Sequence, residues 1–333
     1  MSVPVVAFFN NKGGVGKTSL VYHLAWMFSD RGKRVLAADL DPQANLTAAF
    51  LDENDLERLW NGDEGRATVY GAIEPLLRGV GDVASAPPLE EISEKLFLLP
   101  GDLALARFED ELSQQWPHCN DGKERAFRVI SAFWRLVQMG ARTSDASLVL
   151  LDLGPNLGAI NRAALVAADF LVIPLSPDLF SLQGLRNLGP TLRKWRSEWQ
   201  ERLPKNPEPS LDLPAGLIEP LGYVVMQHAI RLDRPAKAYD RWVKRIPIEY
   251  ASSVVQGRPP ETREDPGCIG MVRHYRSLVP MAQEARKPMF HLTPADGAIG
   301  SHADAVLDSR RTFEDLATKI EQRVTERLLA RAG

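Results

Sequence analysis

Near the start of the chain, residues 3–28 read VPVVAFFNNKGGVGKTSLVYHLAWMF. Residues 3–9 form a short apolar run rich in valine and phenylalanine, which is typical of a buried parallel strand. From Thr18 to Ser29 the apolar side chains recur at helical spacing. A glycine-rich turn separates the two, so this stretch predicts a strand, a loop and a helix in that order.

The loop departs from the usual phosphate-binding pattern, which is Gly, four free residues and then Gly-Lys-Ser/Thr. Asn11 stands where the first glycine should be, and a second lysine, Lys12, follows it. Glycines leave the backbone N–H groups free to wrap a phosphate at the helix N-terminus. We expect Lys17 to neutralise the β- and γ-phosphates and Thr18 to offer its hydroxyl to Mg²⁺. The predicted nucleotide-binding residues of the loop are Gly13, Gly14, Val15, Gly16, Lys17, Thr18 and Ser19.

The rest of the chain alternates strand-like and helical patterns. Such alternation predicts an α/β fold with a doubly wound, mostly parallel sheet and helices on both faces. Further strands are predicted at 33–42, 95–101, 146–155, 169–175 and 221–227, and further helices at 102–115, 123–139, 158–168 and 180–201.

We interpret the chain as a single domain, 1–333, in which three segments interrupt this alternation and one helix closes it. Residues 52–64 are strongly acidic, and the proline-rich segment 203–216 predicts a loop. Residues 228–280 are longer than one crossover needs, and we interpret them as an insertion. Residues 311–331 carry apolar side chains along one face, which predicts an amphipathic C-terminal helix.

The sequence KGGVGKT resembles the deviant Walker A motif of the ParA/MinD-type P-loop ATPases, and of the ParA branch in particular. The resemblance implies a homodimer that sandwiches ATP and Mg²⁺ between its subunits. It also implies that Lys12 reaches into the partner's site, where a positive charge stabilises the γ-phosphate in the manner of an arginine finger.

Two aspartate-ending strands extend the resemblance. VLAADLDPQANLT (35–47) is similar to the family's second motif, which implies that Asp41 holds the attacking water and Asp39 supports the Mg²⁺ shell. LVLLDLGPN (148–156) is similar to a Walker B strand, which implies that Asp152 binds Mg²⁺ through water. The family often reads Asp-x-Pro-Pro here, whereas this chain has Gly154 before the proline.

Residues 285–308 resemble the family's segment that closes over the nucleotide base. The resemblance makes residues from Phe290 to Pro294 candidates for adenine contact, and Gln227 is another candidate at the end of its strand. The catalytic residues implied in this way are Lys12, Lys17 and Asp41, and the implied metal ligands are Thr18, Asp39 and Asp152.

Three functions remain open at the level of sequence. One is a positioning or partition ATPase that binds DNA non-specifically in its ATP state, since residues 186–205 and 231–287 are rich in lysine and arginine. Another is a membrane-associated positioning ATPase, although the C-terminal helix lacks the basic polar face of interfacial helices. The third is a metabolic enzyme that shares the loop, although no Cys-His arrangement supports one.

Bulk composition limits the partners and the compartment. The net charge of −3 gives no global basic field, so any DNA-binding surface must be local. Cys119 and Cys268 form no CxxC pair, and no leader or membrane-spanning run is evident, so we expect a cytoplasmic protein, which would be nucleoid-associated if it binds DNA. Without a strong general base, turnover should be slow, and we expect a stimulating partner or cargo protein.

Overall fold

A computed structural model describes residues 2–61, 67–226, 241–259 and 265–332. Its centre is a single sheet of eight strands in the order β3-β4-β2-β5-β1-β6-β7-β8. All neighbours pair in parallel except β3 and β4, which are antiparallel. The strands are β1 (Val5–Phe8), β2 (Val35–Asp39), β3 (Glu90–Ser93), β4 (Leu96–Leu99), β5 (Leu148–Asp152), β6 (Phe170–Leu175), β7 (Glu219–Met226) and β8 (Cys268–Val272).

Helices cover both faces of this sheet, as the alternation of patterns predicts. They are α1 (Lys17–Asp30), α2 (Asn45–Phe50), α3 (Glu53–Asn61), α4 (Val69–Leu77), α5 (Phe108–His118), α6 (Glu124–Ile130), α7 (Ala132–Thr143), α8 (Ala159–Ala167), α9 (Leu179–Arg202), α10 (Ile246–Glu249), α11 (Leu278–Ala285) and α12 (Ser301–Ala332). A π-helical turn, Tyr250–Val255, continues α10, and short 3-10 turns include Leu103–Arg107, Met289–His291 and Pro294–Asp296.

Alternate residues of each strand point to two separate apolar cores. In β1, Val5 and Ala7 pack with the apolar side of α9, whereas Val6 and Phe8 pack with α1 and α12. All four residues of β1 are fully buried. The near-continuous apolar strands therefore follow from burial on both faces of a parallel sheet.

Some of the sequence expectations need correction in detail. The strand β8 lies within 228–280 and pairs with β7, so Cys268–Val272 extends the central sheet at its edge. The helix predicted at 123–139 is two helices that meet at Ser131. The C-terminal helix begins at Ser301, ten residues before the predicted start.

Strand register brings two aspartates to one point on the carboxyl edge of the sheet. Asp152 is paired with Phe8 at the end of β1 on one side and with Asp39 at the end of β2 on the other. The phosphate-loop segment leaves β1 at this same edge, where ligands of doubly wound sheets bind. Among the described helices, none is long and apolar enough to cross a bilayer.

Candidate nucleotide-binding site

The loop after β1 exposes backbone donors at the start of α1. Gly14 and Gly16 adopt left-handed φ angles of 69° and 87°, which a side chain would make costly. Gly16 occupies the N-cap position, and no side chain caps the first turn of α1. Because the free N–H groups and the helix dipole point the same way, this loop is suited to an anion such as a phosphate chain.

Lys17 is the buried cation of the loop, with only 7% of its surface exposed. Its Nζ donates to the Lys12 carbonyl oxygen at 3.3 Å. Burial lowers the pKa of Lys17, and the charges of Asp152 and Asp41 partly oppose that shift. The ammonium group is therefore held inside the site by two carboxylates that face it.

Asp152 is the carboxylate best suited to a metal ion. It is fully buried, and neither of its oxygens has a hydrogen-bond partner among the described residues. Burial, and then the neighbouring charge of Asp39, raise its pKa well above the usual value, although the Thr18 hydroxyl is near enough to oppose this. A buried carboxylate without a partner fits a site that a hydrated cation completes.

Asp39 is held at the end of β2 by three hydrogen bonds that it accepts. Its Oδ2 accepts from both the backbone N–H and the hydroxyl of Thr47, each at 2.8 Å, and its Oδ1 accepts from the Asp41 N–H at 3.2 Å. Burial raises its pKa to about 6, and the Thr47 bonds oppose that rise. These bonds anchor α2 to the sheet, and both oxygens of Asp39 act as hydrogen-bond acceptors.

The donor set of the site fits Mg²⁺. This ion keeps several waters and takes one or two carboxylates together with phosphate oxygens. Thr18 and Asp152 could supply its protein ligands. Within the described ranges, no group of three or more His, Cys, Asp or Glu side chains forms a closed metal cage.

A cavity of about 680 Å³ extends from the loop. One side is formed by residues 13–19, Tyr22 and His23, and Asp41 also lines it. The opposite wall comes from α11 and the segment after it, through Val279, Ala282, Gln283, Arg286, Lys287 and Met289. Such a volume suits a nucleotide-sized ligand.

None of the candidates for base contact from Phe290 to Pro294 lines the cavity. Phe290 is buried against His23 and Phe313, with ring centroids 6.0 Å and 5.8 Å away, and does not line the cavity. Pro294 is exposed and is also absent from the cavity wall. Gln227 lies outside the described residues. The neighbouring Met289 takes the wall position, because the 3-10 turn directs Phe290 into the core instead.

Lys12 points away from its own phosphate loop. Its Nζ forms an ion pair with Asp178, the N-cap residue of α9, and lies 6.0 Å from the centroid of the Phe180 ring. The Phe180 side chain is 72% exposed. The Lys12 ammonium group and the Phe180 ring therefore lie together beside the first turn of α9.

Sequence reasoning missed three residues that shape the site. Asp178 pairs with Lys12, and the Thr47 hydroxyl joins Asp39 to the Gly101 N–H at 2.8 Å. A Cβ at Gly184 would lie 2.6 Å from Oδ1 of Asn11, so glycine lets α9 approach the loop. The sequence SPD before a helical pattern does signal an N-cap, but its partner is not readable from sequence.

Comparison with known proteins identifies the class to which this fold and site belong. Residues 3–205 match the protein family described as AAA domain. The chromosome partitioning protein ParA of Caulobacter vibrioides is 32% identical over 199 residues, which are 60% of this chain and 66% of that protein. The sporulation initiation inhibitor protein Soj of Bacillus subtilis is 30% identical over 190 residues, 57% of this chain and 64% of Soj. The chain belongs to the ParA-type family of P-loop ATPases.

This chain spans about half to two thirds of the length of the curated relatives that it matches. A putative replication protein A of Rhizobium rhizogenes is 29% identical over 226 residues, and the match covers 62% of this chain and 51% of that protein.

Known structures share the fold. The protein DIP2308 of Corynebacterium diphtheriae has a TM-score of 0.72 at 24% identity, covering 96% of this chain and 98% of its own. An ATP complex of Cyanothece McdA(D38A) has a TM-score of 0.63 at 15% identity, covering 96% and 97%.

Proposed function

We propose that this chain is a partition or positioning ATPase that dimerises around ATP, hydrolyses it to ADP and phosphate, and binds DNA non-specifically in the ATP state. The observation that carries the proposal is the meeting of the uncapped loop, buried Lys17 and unpartnered Asp152 at one edge of the sheet. The ATP and partition assignments draw on the family membership and on what its named relatives do.

In this proposal the residues of the loop bind the triphosphate chain. The backbone N–H groups of Gly13 to Thr18 surround the phosphates, and Lys17 neutralises their charge. When bound between Thr18 and Asp152, Mg²⁺ would supply Lewis-acid stabilisation of the β- and γ-phosphate oxygens. Asp41 lines the cavity and orients the attacking water toward the γ-phosphate.

Lys12 would act on the partner's nucleotide. Its ammonium group pairs with Asp178 at the first turn of α9, is 27% exposed and lies next to the exposed ring of Phe180. In an ATP-bound dimer it would place positive charge where the transferring phosphoryl group becomes negative. We expect Lys12→Ala to retain ATP binding and lose hydrolysis, and unchanged turnover in that variant would contradict the role.

The two basic stretches of the sequence lie side by side, which supports a DNA-binding surface. The helix α9 packs on α10 and its π-helical extension, where Arg193 donates to the Ser253 carbonyl oxygen at 2.9 Å. Exposed cations flank this contact: Lys194, Arg196, Arg241, Lys244 and Arg258. Arg202 is a correction to the basic cluster, because it is buried and donates to the Trp116 and Glu198 carbonyl oxygens.

Avidity explains why such a surface would depend on ATP. Each subunit offers a modest basic patch in a chain of net charge −3, and dimerisation would join two of them. Association through phosphate contacts falls steeply with salt. We therefore expect DNA binding only where ATP holds the dimer together.

Fluorescence anisotropy of a labelled, sequence-neutral duplex tests the proposal in three states: without nucleotide, with ADP, and with a slowly hydrolysed ATP analogue. We expect tight, salt-sensitive binding with the analogue alone. The variant Lys194→Glu/Arg196→Glu should lose it. Arg310→Glu, an exposed reversal on α12 across the sheet, should not. Absence of DNA binding in every state, with ATP-dependent dimerisation retained, would reject DNA as the track.

The metabolic alternative receives no support from the cysteines. Burial raises the pKa of Cys119 to about 12, so this thiol stays protonated at neutral pH. Burial also raises the pKa of Cys268, which is only partly exposed. Neither is suited to the thiolate chemistry that cluster ligation or nucleophilic catalysis would need.

A further inference from the structure

His23 is a buried histidine that the proposed hydrolysis does not use. It lies in α1, six residues after Lys17, and only 5% of its surface is exposed. Its ring stacks on Phe313 of α12 with centroids 4.7 Å apart and an interplanar angle of 17°. It also lines the nucleotide cavity, on the side of the phosphate loop.

Both ring nitrogens of His23 have backbone partners, and these partners define the tautomer. Nδ1 lies 2.7 Å from the carbonyl oxygen of Ser19, which can only accept, so Nδ1 carries the proton. The Met289 N–H donates to Nε2 at 3.2 Å, so Nε2 carries the lone pair. Burial lowers the pKa of His23 to about 4, which keeps the ring neutral at physiological pH.

These two hydrogen bonds connect the opposite walls of the cavity. Ser19 belongs to the turn that follows the phosphate loop, whereas Met289 stands on the far wall with Gln283 and Arg286. The chain separates His23 from Met289 by 266 residues. The imidazole is thus a rigid spacer between the wall that would hold phosphates and the wall that would face the base.

We infer that His23 is a positioning residue for nucleotide binding, which sets the distance between the base-side wall at Met289 and the phosphate loop. This rests on the proposed function, since it assumes that the cavity holds a nucleoside triphosphate. The ligand class it would favour is a triphosphate with an attached base and sugar, in contrast to a bare polyphosphate that touches only the loop.

Two substitutions separate this role from general packing. In His23→Phe the ring still stacks on Phe313, but the Met289 N–H loses its acceptor. In His23→Gln the side-chain carbonyl can accept from that N–H again. As a matched control, Asp30→Ala breaks another contact between the same segments, the bond between Asp30 and His291 at 2.7 Å, which lies away from the cavity.

Calorimetric titrations with Mg·ATP and with Mg·tripolyphosphate test the inference. We expect His23→Phe to weaken ATP binding about tenfold while changing tripolyphosphate binding less than about twofold, as one buried hydrogen bond allows. His23→Gln should recover most of the ATP affinity, and Asp30→Ala should keep it. Equal losses for both ligands, or no loss for ATP, would overturn the inference.

The wild-type protein supplies two further outcomes. If it binds neither ligand, the proposed function itself fails. If it binds tripolyphosphate as tightly as ATP, the phosphate loop binds phosphates but the wall at Met289 adds no affinity, and only the inference fails. Should His23→Phe not fold, nitrogen NMR of histidine-labelled wild-type protein decides: the inference requires the Nδ1–H tautomer, and an Nε2–H signal for His23 would overturn it.

Discussion

The ammonium group of Lys12 is held by the carboxylate of Asp178 within the same subunit. Oδ2 of Asp178 makes this ion pair, while its Oδ1 accepts from the Ser181 N–H at 2.9 Å and caps α9. Lys12 cannot hold this pairing and reach a partner's γ-phosphate at once. The ion pair therefore competes with the engagement that we propose for Lys12 in the dimer.

Asp178→Asn should promote ATP-dependent dimerisation, because it keeps the capping oxygen and removes the charge that holds Lys12. The two side chains are 27% and 17% exposed, so the pair is partly screened. A pair of this kind contributes up to about 1 kcal/mol, and a symmetric dimer releases two of them, so the dimer dissociation constant should fall by up to about 30-fold. Sedimentation velocity across a concentration series measures it.

Glu249→Gln is the matched control for that experiment. It removes another ion pair of α9, with Arg186 at 2.7 Å, and leaves Lys12 untouched. We expect no change in its dimer dissociation constant. Weaker dimerisation of Asp178→Asn, or an equal gain in both variants, would contradict competition for Lys12.

Lys17→Met should weaken Mg·ATP binding by about 10- to 100-fold, the range for losing charge-assisted hydrogen bonds. The substitution removes a buried cation that faces Asp152 and Asp41, so those carboxylates would then repel the phosphates. Titration calorimetry measures the loss. Lys33→Met, which breaks an exposed pair with Glu321 at 2.8 Å, should bind as the wild type does. Retained affinity in Lys17→Met would place the phosphates elsewhere.

The contribution of Asp39 to stability without nucleotide should fall as pH rises from about 4 to about 6, while buried His23, whose pKa is lowered to about 4, contributes in the opposite direction. Burial raises the pKa of Asp39 to about 6 from 3.8, so in this window the folded protein holds a proton that the unfolded chain has released. The difference corresponds to about 3 kcal/mol of unfolding free energy, lost progressively and absent above the window. Urea unfolding at several pH values measures it.

Asp39→Asn should remove this contribution, because the amide does not titrate, so stability should fall less or rise more with pH than in the wild type. The substitution also removes a charge that raises the pKa of Asp152, so the measured difference includes that coupling. The buried carboxylate of Asp152, whose pKa is also raised, keeps part of the slope in the variant. Identical slopes in the two proteins would show that Asp39 is not protonated in the folded state near pH 5.

Thr47→Val should destabilise the fold by about 1–3 kcal/mol, the usual cost of leaving buried polar groups unpaired. The Thr47 hydroxyl donates to Asp39 and accepts from the Gly101 N–H, and the residue is fully buried. Chemical denaturation measures the change. Thr47→Ser keeps the hydroxyl and should remain close to the wild type, so a loss as large as that of valine would contradict the hydrogen-bond account.

The parallel strands β1, β2 and β4 to β7 could be predicted from sequence because burial on both faces makes them short, continuous apolar runs. The segment Glu90–Ser93 escaped prediction because it is a polar edge strand, EEIS, with an antiparallel neighbour. The strand Cys268–Val272 has only two buried residues and lies in a segment that we interpreted as an insertion. Edge strands need fewer apolar side chains, so their pattern is weaker.

The loop and its aspartates could be located from spacing, but their partners could not. The contacts of Lys12 with Asp178 and of His23 with Met289 join residues 166 and 266 positions apart. Only the fold brings such residues together. Met289 rather than Phe290 lines the cavity, because the turn at Met289–His291 directs one side chain to the cavity and the next into the core.

A mixing experiment tests most directly whether Lys12 works in the partner's site. Lys12→Ala retains Asp41 in its own pocket but cannot supply a lysine to the partner's pocket. Asp41→Ala still supplies that lysine, but its own pocket is inactive. Neither variant alone should hydrolyse ATP. In an equal mixture, half of the dimers pair one of each, and each mixed dimer has one working site, so about a quarter of the wild-type rate should return. A mixture no faster than its separate components would contradict the account.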